Sequence, residues 1–158
     1  MARHHAREMA LRVLFEHDLA HTDQEVLIER LKSQDTQDRE FAESLVHGVL
    51  LHQEQVDRII EKSSVDWRVH RMPTIDRNVL RIAVYELLYE PKTPISVLIA
   101  EALELAGDYS TDEAKRFVNG VLSSAAKVIR PQGDEDRLNS PESGQKESPL
   151  SKDDQTNS

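Results

Sequence analysis

Lys115, Arg116 and Phe117 are consecutive, two cations beside a flat apolar ring. Single-stranded nucleic acid stacks its bases on such rings while neighbouring cations meet the phosphates, at about 1–3 kcal/mol per stacked base. The competing reading puts Phe117 in a core with Val118, Val121 and Leu122, because large apolar side chains are usually buried. Arg3 and Arg7 lie four residues apart with His4 and His5 between them. A guanidinium fork matches phosphate, and cations in a first helical turn oppose the helix dipole. An anion site would offset that opposition; the alternative is a solvated, fraying terminus. Arg77 and Arg81 share one helix face, near Asn78 and Tyr85. That strip could meet phosphate or a partner, but a charged face laced with local salt bridges is the preferred reading. His17 and His21 have the spacing of a metal pair. There is no HExxH, no third ligand is evident, and Asp18 points off their face, so no metal site is expected.

Other chemistries find no support. The chain has no cysteine, which excludes disulfides and thiolate metal sites. Its few glycines form no P-loop, GxGxxG or GxSxG, and no cofactor or catalytic constellation is expected. The formal charge is −9, of which −5 falls on residues 1–130 and −4 on the remainder. Net acidity argues against a sequence-blind binder of duplex DNA, which depends on phosphate neutralisation. It leaves room for a local basic patch, and Arg3, Arg7 and Arg12 face only Glu8 within residues 1–15. No apolar run is long enough to span a bilayer, and MARHHARE lacks the apolar core of a secretory signal. A soluble, cytoplasmic protein is expected, with no membrane partner.

These residues must be positioned by helices. Apolar residues recur at helical spacing from Ala6 to Leu19, from Val26 to Leu31, and from Phe41 to Ile60, with a break near 51–53. Trp67 falls in a short connecting turn or helix. Thr74 is the expected N-cap of a helix running to Glu90 that is apolar around most of its circumference, hence central and buried. Pro91 stops it; Thr93 and Pro94 start the next, which Gly107 closes in a left-handed conformation. Ser110 and Glu113 form a capping box for the last helix, where Gly120 signals close approach of a neighbour. No alternating strand is evident. The fold class is all-α, a compact bundle of about seven helices over residues 1–130. The tail 131–158 holds three prolines, five serines and two large apolar residues, and is expected to be disordered.

Four stretches, ARHHAREMALRVLF at 2–15, FAESLVHGVL at 41–50, IDRNVLRIAVYEL at 75–87 and ISVLIAEALELAGDYSTDEAKRFVNGVL at 95–122, resemble the NusB family of transcription antitermination factors. The resemblance implies two small helical sub-bundles packed together and a non-enzymatic factor. It implies binding of boxA RNA in nascent ribosomal transcripts, with the ribosomal protein NusE as partner, on RNA polymerase. Transferred by position, the RNA-binding residues are Arg3, His4, His5, Arg7, Phe15, Arg81 with Arg77 nearby, Arg116 and Phe117. Asp76 and exposed neighbours would face NusE, and Glu113 would affect complex formation. The family often carries arginine where this chain has His4 and His5, which implies weaker or pH-dependent RNA binding. Some members are dimers that hide their RNA face, so a homodimer is compatible with the resemblance. The alternative function is a helical protein-interaction module without sequence-specific RNA binding.

Overall fold

A computed structural model describes residues 3–34, 37–65 and 67–134. The tail expected to be disordered lies outside these residues beyond Asp134. Seven α-helices follow in order: α1 His4–Ala20, α2 Gln24–Lys32, α3 Arg39–Leu51, α4 Gln53–Ser63, α5 Thr74–Tyr89, α6 Ile95–Tyr109 and α7 Asp112–Ile129. A single 3₁₀ turn, Val69–Arg71, precedes α5, and no strand occurs among the described residues. The break expected near 51–53 is His52, which ends α3 and begins α4.

The centre is α5, which packs against α1, α3, α4, α6 and α7. Helices α1 to α3 form one sub-bundle and α4 to α7 the other. The apolar circumference predicts this burial: Val79, Leu80, Ile82, Ala83, Val84 and Leu87 are all within the core. Asp76, Asn78, Arg81 and Glu86 are buried on the same helix. A buried polar group without a partner is costly, and each of these has one. Asp76 accepts from Ser110 Oγ at 2.7 Å. Glu86 takes a two-pronged ion pair from Arg7 at 2.7 and 2.8 Å. Arg81 donates to both oxygens of Asp57, at 2.9 and 3.0 Å, and to Asp18 at 3.0 Å. Asp18 also receives Arg77, at 2.6 and 2.7 Å, and Asn78 at 2.8 Å.

Helix starts differ from expectation by one residue, for identifiable reasons. Thr74 and Thr93 do not cap. The boundaries are set instead by Pro73 and Pro94, and α6 borrows its cap from the turn after α7, where Asp134 accepts from Ile95 N at 3.0 Å. The same turn carries Arg130, which donates to the carbonyls of Leu87, Glu90 and Thr93. It thereby satisfies carbonyls left open at the end of α5. At α7 the cap is Thr111, accepting from Ala114 N at 3.0 Å, so Ser110 is released to hold Asp76. Gly107 lies inside α6 and does not end it, and Gly120 is exposed with open space around it. The close approach occurs at Gly48, where a Cβ would overlap the ring of Tyr85.

Two stability predictions follow. Gly48→Ala forces Tyr85 out of its tilted contact with Tyr89, whose ring centroid is 5.1 Å away, and lowers unfolding free energy by about 1–3 kcal/mol; urea denaturation measures it. For Asp18, burial raises the pKa, but hydrogen bonds from Arg77 and Asn78 and the charges of Arg81 and Arg77 outweigh this and lower it. A lowered carboxyl pKa stabilises the fold above the ordinary aspartate value, about 3.9, and that contribution disappears as pH falls through the lower, folded-state value. Asp18→Asn therefore costs about 2–3 kcal/mol at pH 7, less than the ~3–5 kcal/mol of a fully buried pair. The gap to the parent protein closes on acidification below the ordinary aspartate range; a gap constant with pH would refute the assignment.

Candidate nucleic-acid interface

The structure separates the expected RNA-facing cations into two groups. Arg7, Arg77 and Arg81 point inward. Arg7 is 4% exposed on Glu86, and Arg81 is 6% exposed on Asp57 and Asp18. Their forks, expected at phosphate or a partner, are filled by the protein's own carboxylates, so they shape the fold beneath any surface. Burial pulls the Arg7 pKa down, but the hydrogen bond and charge of Glu86 more than restore it. Arg3 is exposed and lies over the Phe41 ring at 3.9 Å. His4 is enclosed by Glu8, Glu101, Glu104 and Asp108, a setting that repels phosphate. His5 is exposed beside Glu8.

Phe117 settles neither wholly in the core nor wholly outside it. It packs against the core and is half-buried, with its ring edge-on to Trp67 at 6.4 Å and 77°. Trp67 is 51% exposed. Beside this pair opens a cleft of about 360 Å³, lined by both rings, where the start of α7 meets the approach to α5. Met72, Pro73 and Ala114 complete its apolar wall, and Asp76, Thr111 and Glu113 contribute oxygens. Asp76, expected on an exposed partner surface, is 5% exposed and fixed by Ser110. Glu113, expected to affect complex formation, is exposed at the rim. Asp76 and Glu113, expected to serve a protein partner, thus line one cleft with Phe117, while the other positions expected to meet RNA lie outside it.

Exposed cations flank it: Arg68 and Arg71 on the approach to α5, and Arg116 on α7. Along α1, Glu8, Arg12 and Phe15 share a face by helical spacing. Arg12 Nη2 donates to Tyr109 Oη at 3.0 Å, which joins this face to the segment bearing Ser110. Phe15 is half-buried. His17 donates from Nδ1 to the Thr22 carbonyl at 2.9 Å, and His21 closes α1 at φ 59°, so both serve the end of that helix.

Trp67 and Tyr109 were not read as site residues, and Arg12 was read only as part of the N-terminal basic patch. Trp67 carried a signal, a lone tryptophan with Arg68 next to it and Arg71 four residues on. The assembled surface can stack a base on Trp67 and Phe117, accept its N–H groups on Asp76 and Glu113, and meet flanking phosphates with guanidinium groups.

Comparison with known proteins agrees with this architecture. The model of the NusB family matches residues 4–127. The transcription antitermination protein NusB of Acidothermus cellulolyticus is 50% identical over 124 residues, spanning 78% of this chain and 86% of that protein. The solved structure of NusB from T. maritima superposes with a TM-score of 0.77 at 33% identity, covering 86% of this chain and 98% of that one. A crystal structure of the antitermination factors NusB and NusE in complex with double-stranded RNA matches with a TM-score of 0.70 at 30% identity, over 81% of this chain and 99% of that one. On the family match and these identities, the chain belongs to the NusB family.

Proposed function

We propose that this protein is a transcription antitermination factor that binds RNA together with NusE, and that the cleft lined by Trp67 and Phe117 holds an unpaired base. The observation that carries the second part is the cleft itself: two aromatic rings at right angles, oriented carboxylate acceptors, and guanidinium groups outside. The first part rests on family membership and on a relative of the same fold crystallised with NusE and RNA. Among the described residues no helix is long and apolar enough to cross a membrane, which suits a cytoplasmic factor working on a nascent transcript. Binding, with no catalytic step, is the activity assigned.

Asp76 and Glu113 can accept from the exocyclic amino or ring N–H groups of a base, and each such contact discriminates between bases. Arg116, Arg68 and Arg71 contribute charge without sequence information. Arg7, Arg77 and Arg81 act beneath this surface by holding α1 and α5 in register.

With NusE present, the chain binds boxA-like RNA more tightly than scrambled RNA of equal length in a fluorescence anisotropy titration. Equal affinities would sink the functional reading and favour a protein-interaction module. Trp67→Ala and Phe117→Ala each weaken binding by roughly tenfold, within the ~1–3 kcal/mol of a lost stack. Arg116→Ala weakens all sequences alike and lowers the salt slope by about 1. Arg7→Ala lowers thermal stability first; a variant with parental stability and a reduced salt slope would return Arg7 to the RNA-facing set.

A further inference from the structure

A second constellation lies at the start of α1, outside the cleft. His4 sits in the first helical turn with its imidazole surrounded by carboxylates from two helices, Glu8 from α1 and Glu101, Glu104 and Asp108 from α6. The two ring nitrogens have different neighbours. Nδ1 lies 2.9 Å from Glu101 Oε1, and because a carboxylate only accepts, Nδ1 carries the hydrogen. Glu101 is steadied in turn by Arg7 Nη1 at 3.6 Å, and Arg7 is locked onto Glu86. When the imidazole is neutral, this chain leaves the lone pair on Nε2.

Nε2 faces Glu8 Oε2 at 3.7 Å, Glu104 Oε2 at 3.7 Å and Asp108 Oδ2 at 3.9 Å. All three distances exceed hydrogen-bond range. Ligand atoms of His4, Glu8 and Asp108 lie within 4.8 Å of one another, and so do those of His4, Glu101 and Glu104. Among the described residues, His4 is the only cationic group within ion-pair distance of Glu104 and Asp108. One imidazole, even when charged, cannot balance these carboxylates.

We propose that His4, Glu8 and Asp108, with Glu104 at their edge, form a binding site for a divalent transition-metal ion of the zinc type, and that Glu101 is its orienting partner. A carboxylate hydrogen-bonded to the far nitrogen of a histidine is the usual support of a metal-bound imidazole, fixing its tautomer and direction. Zinc bonds of about 2.0–2.2 Å to nitrogen and oxygen put tetrahedral ligand atoms roughly 3.3–3.5 Å apart. Around Nε2 the spacings are 3.7–3.9 Å, and the His4, Glu8 and Asp108 ligand atoms lie within 4.8 Å of one another, so closing on one ion takes side-chain movement of up to about 1 Å. Glu104 and Asp108 side chains are more than half exposed and free to make that adjustment. Imidazole nitrogen with carboxylate oxygen favours zinc and its neighbours over magnesium or calcium, which prefer oxygen alone.

The ion would tie the first turn of α1 to the end of α6 and neutralise acidic groups beside Arg3 and His5. Glu8 also lies 3.5 Å from Tyr109 Oη, which bonds Arg12, so the site adjoins the α1 edge of the RNA surface. Protons compete for the same nitrogen. Burial lowers the His4 pKa, but the Glu101 hydrogen bond and the charges of Glu104, Glu101 and Glu8 outweigh it and raise the pKa above the ordinary histidine value. Metal binding therefore weakens as pH falls through that raised value.

The test is calorimetric titration of the tag-free, chelator-stripped full chain with zinc chloride at pH 7.5, with magnesium chloride in parallel. One saturable equivalent of zinc per chain is expected, with no comparable magnesium binding. His4→Ala and Asp108→Asn each weaken it at least tenfold, while His17→Ala and His21→Ala leave it unchanged. Zinc raises the melting temperature of the parent chain and not that of Asp108→Asn. Non-saturable binding, binding that survives both His4→Ala and Asp108→Asn, or loss on changing His17 or His21 would overturn the assignment. If His4→Ala fails to fold, the exposed Asp108→Asn decides alone.

Discussion

The structure depends on α5 being buried on all sides while carrying charge. A helix in that position can keep polar groups only if every neighbour answers them. Glu86 is met by Arg7 from α1, Arg81 by Asp57 from α4 and Asp18 from α1, and Asp76 by Ser110 from the turn before α7. The answers come from α1, α4 and the turn before α7, so they also fix where those elements sit. An apolar core alone tolerates sliding of helices along one another. A two-pronged ion pair at 2.7 and 2.8 Å does not. The polar residues of α5 thus give the two sub-bundles their register, and the cleft beside Asp76 inherits its shape from that register.

The same pairing explains which parts of the fold could be read from the chain. Helix existence was legible because burial leaves a periodic mark: the apolar circumference of α5 and the punctuation by Pro91 and Pro94 needed no tertiary information. The ends were less legible because capping was decided at a distance. Asp134 caps α6 across 39 residues of sequence, and Ser110 leaves the expected capping box to hold Asp76 on α5. Gly48 and Gly120 show the limit plainly. Both are glycines within helices, but only Gly48 faces a ring, and nothing within its own helix distinguishes the two.

For the site, the sequence pattern sets Arg116 beside Phe117, while the structure turns Arg7 and Arg81 inward onto carboxylates for a physical reason. A basic first turn does need an anion, and the sequence pattern registers that need correctly. It does not register that the anion is Glu86, 79 residues away. Long-range ion pairs leave no periodicity on either partner. Trp67 was passed over for the opposite reason: it lies outside any helix, where pattern has little to say, and only its contact with Phe117 gives it a role.

Internal pairing also bears on how an acidic chain can act on RNA. Neutralised phosphates set the electrostatic share of affinity, and Arg7, Arg77 and Arg81 are unavailable for it. The exposed set near the cleft, Arg68, Arg71 and Arg116 with Arg12 beyond, is small against the surrounding carboxylates. On the proposed reading selectivity falls to the cleft, where stacking and directed acceptors would distinguish bases without a large charge term. The remainder of the affinity has to come from a second surface on the same transcript. A partner bound to both protein and RNA makes the second contact intramolecular and raises its effective concentration. A weakly charged, shape-dependent RNA site is therefore the kind of site that benefits most from working as one half of a pair.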